Sequence, residues 1–504
     1  MKKISSQKNS GDDLSAPLRE VVVQPTGIDA LDEVLQGGFP RGSVILLSGP
    51  AGAGKTILAQ QWLFEGNRKF QEKGLCFNVT ETVSKTVRNA RSMSFFDDEA
   101  LSKKEVCFVD FQSIISQLKL SDKAQIEAKD VHALCDAIAN LVLETGAQRV
   151  VIDSITAILC RLREKDAIHH FVFQLSSLLS HLDATVLLLS EVMEREGFSV
   201  FGVEEFIADG IIYLSQSMGE LSMIRHFTMV KMRGKEFRSG AVVFDITPDG
   251  IQIYPKMRID RKMLKTDFSK KKSTGNGELD VMVGGGYPEG HIILIGGNTG
   301  AGKTTFGFEF LYHGAAVEDE AGVFVAVEEP VDQVKKTSAA HGWDLEKLEK
   351  EKKIAFVNPD IVDINPDKLL RQIINAAESV NAKRMHIDSI SSVEGATLNE
   401  EEVRQFLWQL STYLKSKGIT CTMTYLTTEV FAAQGGHLLG GSESSELRLS
   451  SIVDGILLLR YVEHEQSVKR LITVLKMRGS MHDRDIREYN IEKGGIKIGK
   501  KFGA

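Results

Sequence analysis

Apolar positions along this chain fall into short unbroken runs separated by longer amphipathic stretches. Val44-Ile45-Leu46-Leu47 is followed by a glycine-rich turn and then by Ile57-Leu58-Ala59-Gln60-Gln61-Trp62-Leu63, whose apolar residues recur at helical spacing. A four- or five-residue apolar run closed by turn residues reads as a strand buried on both faces, and helical spacing reads as an amphipathic helix packed beside it. The same alternation continues through strand-like segments at Gly74-Leu75-Cys76-Phe77-Asn78-Val79, Arg149-Val150-Val151-Ile152 and Thr185-Val186-Leu187-Leu188-Leu189. It returns at Ile292-Ile293-Leu294-Ile295, Gly322-Val323-Phe324-Val325-Ala326-Val327, Arg384-Met385-His386-Ile387 and Thr420-Cys421-Thr422-Met423-Thr424-Tyr425, with a helical stretch at Glu402-Val403-Arg404-Gln405-Phe406-Leu407-Trp408-Gln409-Leu410. Strands alternating with helices predict α/β layers, each a mostly parallel twisted sheet flanked by helices.

The turn after the first apolar run is Gly49-Pro50-Ala51-Gly52-Ala53-Gly54-Lys55-Thr56, a complete G-x-x-x-x-G-K-T. Glycines let successive backbone N–H groups point inward at phosphate oxygens, and the following helix adds its positive end. Lys55 is expected to reach the β- and γ-phosphates of a bound nucleotide, and Thr56 to ligate Mg²⁺. The pattern recurs at Gly297-Asn298-Thr299-Gly300-Ala301-Gly302-Lys303-Thr304. Around it Thr26-Gly27 matches Thr274-Gly275, Leu31-Asp32 matches Leu279-Asp280, and Gly37-Gly38-Phe39-Pro40 matches Gly285-Gly286-Tyr287-Pro288, all at a spacing of 248 residues. A period this long marks a duplicated domain, because each copy is large enough to bury its own core. The expected organisation is a polar, disordered lead at 1–16, a first domain at 17–255, a basic linker at 256–272 and a second domain at 273–504.

Each copy carries further groups suited to phosphoryl chemistry. The strand after the phosphate loop ends on Thr80-Glu81 in the first copy and on Glu328-Glu329 in the second. Strand ends beside a phosphate loop hold working groups, so Glu81, Glu328 and Glu329 are candidates to orient or deprotonate an attacking water or hydroxyl. Glutamate also caps a following helix well, and the two roles are compatible. Thr80 stands where Glu328 stands, so the first copy has one carboxylate fewer. Asp153-Ser154 and Asp388-Ser389 each close an apolar strand, and these aspartates are expected to hold Mg²⁺ directly or through water. Late in each copy come Lys231-Met232-Arg233-Gly234 and Lys476-Met477-Arg478-Gly479. Two cations spaced by two on a strand share a side, and with Lys55 and Lys303 already serving their own phosphates, Lys231, Arg233, Lys476 and Arg478 are read as reaching a neighbouring subunit's nucleotide.

Composition changes this picture little. The chain has 504 residues, 42% hydrophobic and 26% charged, the balance of a soluble globular protein, and neither a signal peptide nor a membrane helix is expected. A cytoplasmic location is expected, with five scattered cysteines read as buried reduced thiols. A net charge of −7 counts against a polyanion-binding surface. The basic run from Lys256 to Lys272 is read as a solvated linker. His169-His170 lacks partners at metal-ligand spacing and is read as packing or surface.

With these motifs in place, the chain resembles the KaiC family, duplicated RecA-like ATPases of cyanobacterial circadian clocks and their bacterial relatives. The resemblance runs from about Leu18 to about Ile498. It rests on both phosphate loops, Glu328-Glu329, Arg384-Met385-His386-Ile387-Asp388-Ser389, Phe201-Gly202-Val203-Glu204-Glu205-Phe206 and Lys476-Met477-Arg478-Gly479-Ser480-Met481-His482-Asp483. It implies two RecA-like domains and a double-ringed homohexamer with ATP at subunit interfaces. It further implies ATPase activity in the N-terminal ring and self-phosphorylation in the C-terminal one. The family's phosphorylated pair falls on Ser450-Ser451, where clock members commonly carry Ser-Thr, and Glu328 would be the general base. The chain stops near Ala504, about where the KaiA-responsive tail of the family would start, so KaiA control is not expected. A KaiB-like protein on the N-terminal ring is the partner the resemblance admits.

Two other readings share the fold. A nucleic-acid motor like RadA or DnaB predicts basic channel loops and salt-sensitive DNA binding, which the acidic composition disfavours. A scaffold holding structural ATP predicts little turnover, against which the carboxylates of the second copy argue.

Overall fold

The computed structural model describes residues 22–120, 126–162, 164–192, 197–218, 223–257, 269–360, 364–397, 400–427, 451–464 and 466–503. The expected N-terminal lead, the middle of the basic run at 258–268 and Ser450 lie outside the described residues. The chain divides into two compact units, the first ending at Pro255 and the second running from Lys256.

The first unit is built on a nine-stranded sheet of β1 (Val44–Gly49), β2 (Gly74–Asn78), β3 (Val106–Asp110), β4 (Arg149–Asp153), β5 (Thr185–Glu191), β6 (Gly210–Met218), β7 (Met223–Met232), β8 (Ala241–Thr247) and β9 (Gly250–Tyr254). Their spatial order is β3-β2-β4-β5-β1-β6-β7-β8-β9. The first six strands run parallel and the last three antiparallel. Helices include α1 (Lys55–Phe70), α2 (Val131–Thr145), α3 (Ile155–Leu159), α4 (Lys165–His181) and α5 (Val203–Ile207).

Alternation within β1 explains why this sheet is covered on both sides. Val44 and Leu46 enter one apolar cluster with Leu134, Ile138, Phe171 and Leu175 of α2 and α4. Ile45 and Leu47 enter the other with Leu58, Trp62 and Leu63 of α1. Successive strand side chains point to opposite faces, so a four-residue apolar run has no solvent side and requires helices on both. Each such leucine or isoleucine, fully withdrawn from water, contributes roughly 1.5–3 kcal/mol.

The second unit repeats this plan with β10 (Ile292–Gly297), β11 (Gly322–Ala326), β12 (Ile354–Val357), β13 (Arg384–Asp388), β14 (Thr420–Leu426), β15 (Gly455–His464), β16 (Ser467–Met477), β17 (Arg487–Glu492) and β18 (Gly495–Lys501). The order is β12-β11-β13-β14-β10-β15-β16-β17-β18, the same permutation as in the first unit. Its helices include α6 (Lys303–Ala316), α7 (Pro366–Ser379), α8 (Ile390–Gly395) and α9 (Glu400–Lys417). In each unit a buried arginine at the start of β4 or β13 binds a glutamate just beyond the phosphate-loop helix. Arg149 meets Glu72 at 2.7 Å and Arg384 meets Glu320 at 2.8 Å. Lys271 and Lys272, counted by sequence with the basic run, pair as a short ribbon with Pro288 and Tyr287, and Lys272 also meets Glu320.

Candidate functional site

Both phosphate loops leave the C-terminal end of a central parallel strand and enter a helix. The residue before each helix, Gly54 or Gly302, has a φ of 98° or 89°, a left-handed conformation that a side chain disfavours. A Cβ on Gly302 would also run into Ile491. The lysine then folds back over the loop. Lys55 Nζ donates to the carbonyls of Gly49 and Pro50 at 2.8 and 2.9 Å, and Lys303 Nζ to those of Gly297 and Asn298 at 2.9 and 3.0 Å. Burial pushes both ammonium pKa values down, while Glu191 and Asp153 pull Lys55 up and Asp388 and Glu328 pull Lys303 up. Gly52, Thr299 and Gly300 form the exposed tips, and Ala53 and Ala301 are buried beneath them.

The threonine after each lysine meets the aspartate that ends β4 or β13, the strand one removed from the loop's own strand. Thr56 Oγ1 donates to Asp153 Oδ2 at 2.7 Å, and Thr304 Oγ1 to Asp388 Oδ2 at 2.6 Å. Residues 97 and 84 apart in sequence are thus joined twice in the same way. Burial raises the pKa of Asp153, against the opposing pull of the Thr56 hydrogen bond and Lys55. A threonine hydroxyl beside a carboxylate is a hard-oxygen donor set, suited to Mg²⁺ bound together with nucleotide phosphates. Thr424 Oγ1 adds a hydrogen bond to Asp388 Oδ1, a contact not foreseen in the sequence. In both units the peptide bond that follows the aspartate is cis.

The strand-end glutamates differ between the units. Glu81, just ahead of the helix Val83–Ala90, pairs with Lys85 Nζ of its first turn at 2.6 Å. Thr80 is exposed beside it. In the second unit Glu328 Oε1 accepts hydrogen bonds from Ser389 Oγ at 2.9 Å and from Ser392 Oγ. Asn358 Nδ2 donates to the carbonyl of Ala326 at 2.6 Å, fastening the segment that carries the glutamates. Burial, then Asp388, then Glu328 raise the pKa of Glu329. Counting from the aspartate, the position of Ser392 is held in the first unit by Ala157. Ser392 carries no motif signal, since its partner lies 64 residues away in sequence.

The cationic pairs lie at the other end of each sheet. Met232 pairs with Gly210, which pairs with Ile45 near the start of β1, whereas the phosphate loop follows the end of β1. Met477 pairs with Gly455, which pairs with Ile293 near the start of β10. A six-residue strand spans about 20 Å, so these cations stand a strand's length from the phosphate loop of their own unit. One sequence expectation needs correction: the strands end at Met232 and Met477, so Arg233 and Arg478 sit in the turn beyond rather than on the strand. Gly234 and Gly479, at φ of 71° and 66°, turn the chain there. Lys231 Nζ donates to the carbonyls of Glu205 and Ala208 at 3.1 and 2.9 Å, and Arg233 Nη2 to that of Phe206 at 2.9 Å.

Lys476 Nζ likewise donates to the carbonyl of Val453 at 2.8 Å, and Arg478 Nη2 to that of Ser451 at 3.0 Å. Ser451 is exposed and lies just before β15, at the same sheet end as Lys476 and Arg478. The candidate acceptor is therefore also a strand's length from Gly297 of its own unit.

Other sequence readings resolve simply. Cys76, Cys135 and Cys421 are buried, Cys107 is half-buried and Cys160 is exposed, and all five are free thiols. Burial pushes the Cys135 thiol up to about 12. His169 and His170 lie exposed on α4, and no group of three or more His, Cys, Asp and Glu side chains placed to hold a metal ion occurs among the described residues. Among these residues, no helix is long and apolar enough to cross a membrane.

Comparison with known proteins adds a family assignment to this geometry. A family model described as "ATPase: KaiC" matches residues 24–258 and again residues 272–502. The chain is 32% identical to the circadian clock protein KaiC3 of Synechocystis sp. over 95% of its own length and 92% of that protein. It is 31% identical to the circadian clock oscillator protein KaiC of Parathermosynechococcus lividus, over 96% of this chain and 87% of that one. It is also 31% identical to the circadian clock oscillator protein KaiC 1 of Synechocystis sp., over 99% and 92%.

Proposed function

The chain belongs to the KaiC ATPase family, and from that premise we propose that it is a homohexameric ATPase and serine autokinase in which each nucleotide serves two neighbouring subunits. Hydrolysis is assigned to the N-terminal sites and reversible phosphoryl transfer to Ser450 and Ser451 to the C-terminal ones. The observation that carries the reading is the separation within the second unit. Ser451, Lys476 and Arg478 stand at one end of the sheet, and Lys303, Thr304, Asp388 and Glu328 at the other. A subunit so built supplies a donor site on one side and an acceptor on the other, and a ring of heterologous contacts brings the two together.

In this reading the nucleotide phosphates lie over the loop N–H groups, Lys303 leaves its carbonyl contacts for the γ-phosphate, and Thr304 and Asp388 hold Mg²⁺. Bound Mg²⁺ would neutralise charge on the phosphates. The neighbour's serine Oγ attacks the γ-phosphorus, the bond to the β,γ-bridging oxygen breaks, and ADP leaves. Glu328, oriented by Ser389 and Ser392, takes the serine proton. In the N-terminal unit Glu81 orients water instead. The phosphoserine adds nearly two negative charges close to Arg478, a local change that a ring can transmit to partners. The names of the relatives support a role in timing, and we extend it to stress signalling. A KaiB-like protein as partner completes the proposal.

The test is intact-protein mass spectrometry after incubation with Mg-ATP alone, on the wild type and on Ser450→Ala/Ser451→Ala. Phosphate on the first and none on the second is expected. Absence from both, with ATP still consumed, would remove the autokinase and leave a ring ATPase.

A further inference from the structure

The N-terminal unit lacks the carboxylate that Glu328 supplies in the C-terminal one, because Thr80 takes its place. A different strand brings another acid to that unit's phosphate loop. Glu191 closes β5 and is register-paired with Gly49, the first residue of the loop. Its neighbour Val192 donates its N–H to the Gly49 carbonyl at 3.2 Å, the same oxygen that Lys55 Nζ holds. The Glu191 N–H donates to Thr156 Oγ1 at 3.2 Å, and that hydroxyl also meets Ser190 Oγ at 3.0 Å. The backbone of Glu191 is therefore fixed on both sides while its side chain stays exposed to solvent.

The C-terminal unit has the same backbone frame and a different side chain. Leu426 is register-paired with Gly297, Thr427 donates its N–H to the Gly297 carbonyl at 3.3 Å, and Leu426 N–H donates to Ser391 Oγ at 2.7 Å. Thr156 and Ser391 thus play one part, and Glu191 and Leu426 occupy one position. The two units exchange an acid between strands: Glu328 with Leu426 in one, Thr80 with Glu191 in the other. The charges agree with the geometry, since Glu191 acts on Lys55 ahead of Asp153, and both Glu191 and Glu81 act on Asp153.

We propose that Glu191 is the second carboxylate of the N-terminal nucleotide site, a positioning residue that orients the attacking water together with Glu81. The inference rests on the reading that this site hydrolyses ATP. Its carboxylate oxygen accepts a hydrogen bond from the water, which fixes the direction of attack on the γ-phosphorus. The C-terminal site needs room for an incoming serine instead, and there the position is apolar.

The experiment uses the full chain with Lys303→Ala, which silences the C-terminal site, as the parent. Glu191→Gln, Glu191→Leu and Glu191→Gln/Thr80→Glu are compared with it for steady-state phosphate release and for binding of a fluorescent ATP analogue with Mg²⁺. The expected result is a fall in kcat of about tenfold or more for both single variants, with nucleotide Kd held within about threefold. Thr80→Glu is expected to return most of the lost kcat. A kcat within about twofold of the parent in Glu191→Gln would overturn the inference. A kcat loss matched by an equal loss of binding, and not recovered by Thr80→Glu, would overturn it as well, because Glu191 would then serve binding or folding. A parent that binds nucleotide but releases no phosphate would overturn the hydrolysis reading itself, and the inference with it.

Discussion

Ser389 donates its hydroxyl hydrogen to Glu328 Oε1 at 2.9 Å, so the residue directly after the strand-end aspartate of the C-terminal unit also orients that unit's candidate base. Ser392, one helical turn later in α8, donates to the same oxygen. The carboxylate is thereby held by two neutral donors, which fix its direction without supplying a proton-competing cation. Glu81, by contrast, faces Lys85.

Glu328→Gln keeps the shape of the side chain and removes its basicity. Phosphate incorporation at the serine pair is expected to fall by roughly two to four orders of magnitude, with nucleotide binding retained. Ser392→Ala loosens the carboxylate without removing it and should cost about tenfold or less. Radiolabel incorporation over time, with nucleotide affinity measured alongside, checks both.

Thr56→Ala and Thr304→Ala each break a threonine–aspartate contact and remove an oxygen suited to the metal. Affinity for Mg-ATP at the altered site should drop about tenfold, the scale of one hydrogen bond to a charged group. Affinity for ATP measured in excess chelator should be nearly the same as that of the wild type. Calorimetric titrations with and without Mg²⁺ distinguish a metal contact from a fold defect, which would weaken both.

The separation of Ser451 from its own phosphate loop makes a prediction about mixed rings. Subunits carrying Lys303→Ala cannot present ATP but keep both serines, and subunits carrying Ser450→Ala/Ser451→Ala present ATP but have no acceptor. Each alone should stay unphosphorylated. Co-assembled, the Lys303→Ala subunits should gain phosphate, which mass spectrometry reads by chain mass. Phosphate failing to appear in the mixed assemblies would exclude transfer between subunits.

Glu309 sets a pH dependence. It lies buried on α6, with Asn276 Nδ2 3.4 Å from Oε1 and its carboxylate so near Gly495 that a Cβ there would clash with it. Burial pushes its pKa up to about 7 from 4.5, with Asn276 and the Ile496 backbone pulling it down and Glu278 and Asp280 pushing it further up. Between these values the native chain keeps a proton that the unfolded chain has lost, so stability falls as pH rises from about 4.5 to about 7 and then levels. The matching residue of the first unit is Gln61, whose Oε1 accepts the Ile251 N–H at 2.8 Å. Glu309→Gln should remove this slope and add roughly 3 kcal/mol at pH 8. Denaturant titrations at pH 5 and pH 8 measure it.

Much of the molecule was legible from local pattern. Buried runs such as Val44–Leu47 and Ile292–Ile295 specify strands because no face of them tolerates water, and the glycine–lysine–threonine strings specify phosphate loops because backbone geometry there is a local property. The repeat at 248 residues announced two copies of one fold, and both sheets carry one strand order. The aspartates were legible too, as polar stops on apolar strands.

What the one-dimensional chain did not carry were pairings between groups far apart along it. Ser392 reaches Glu328 across 64 residues, and Glu191 reaches the loop at Gly49 across 142, through strands whose neighbours are set by sheet order. Lys231 and Arg233 looked like a strand pair, and the turn at Gly234 sent the arginine past the strand end. Which end of the sheet a side chain occupies depends on register across several strands, and those registers follow from packing on both sheet faces. Local sequence therefore determined the elements, the two phosphate loops and the aspartates and glutamates that close the strands at Asp153, Asp388, Glu81 and Glu328. Tertiary structure alone decided which of these groups meet, because their distances are summed over hydrogen-bonded strands rather than along the chain.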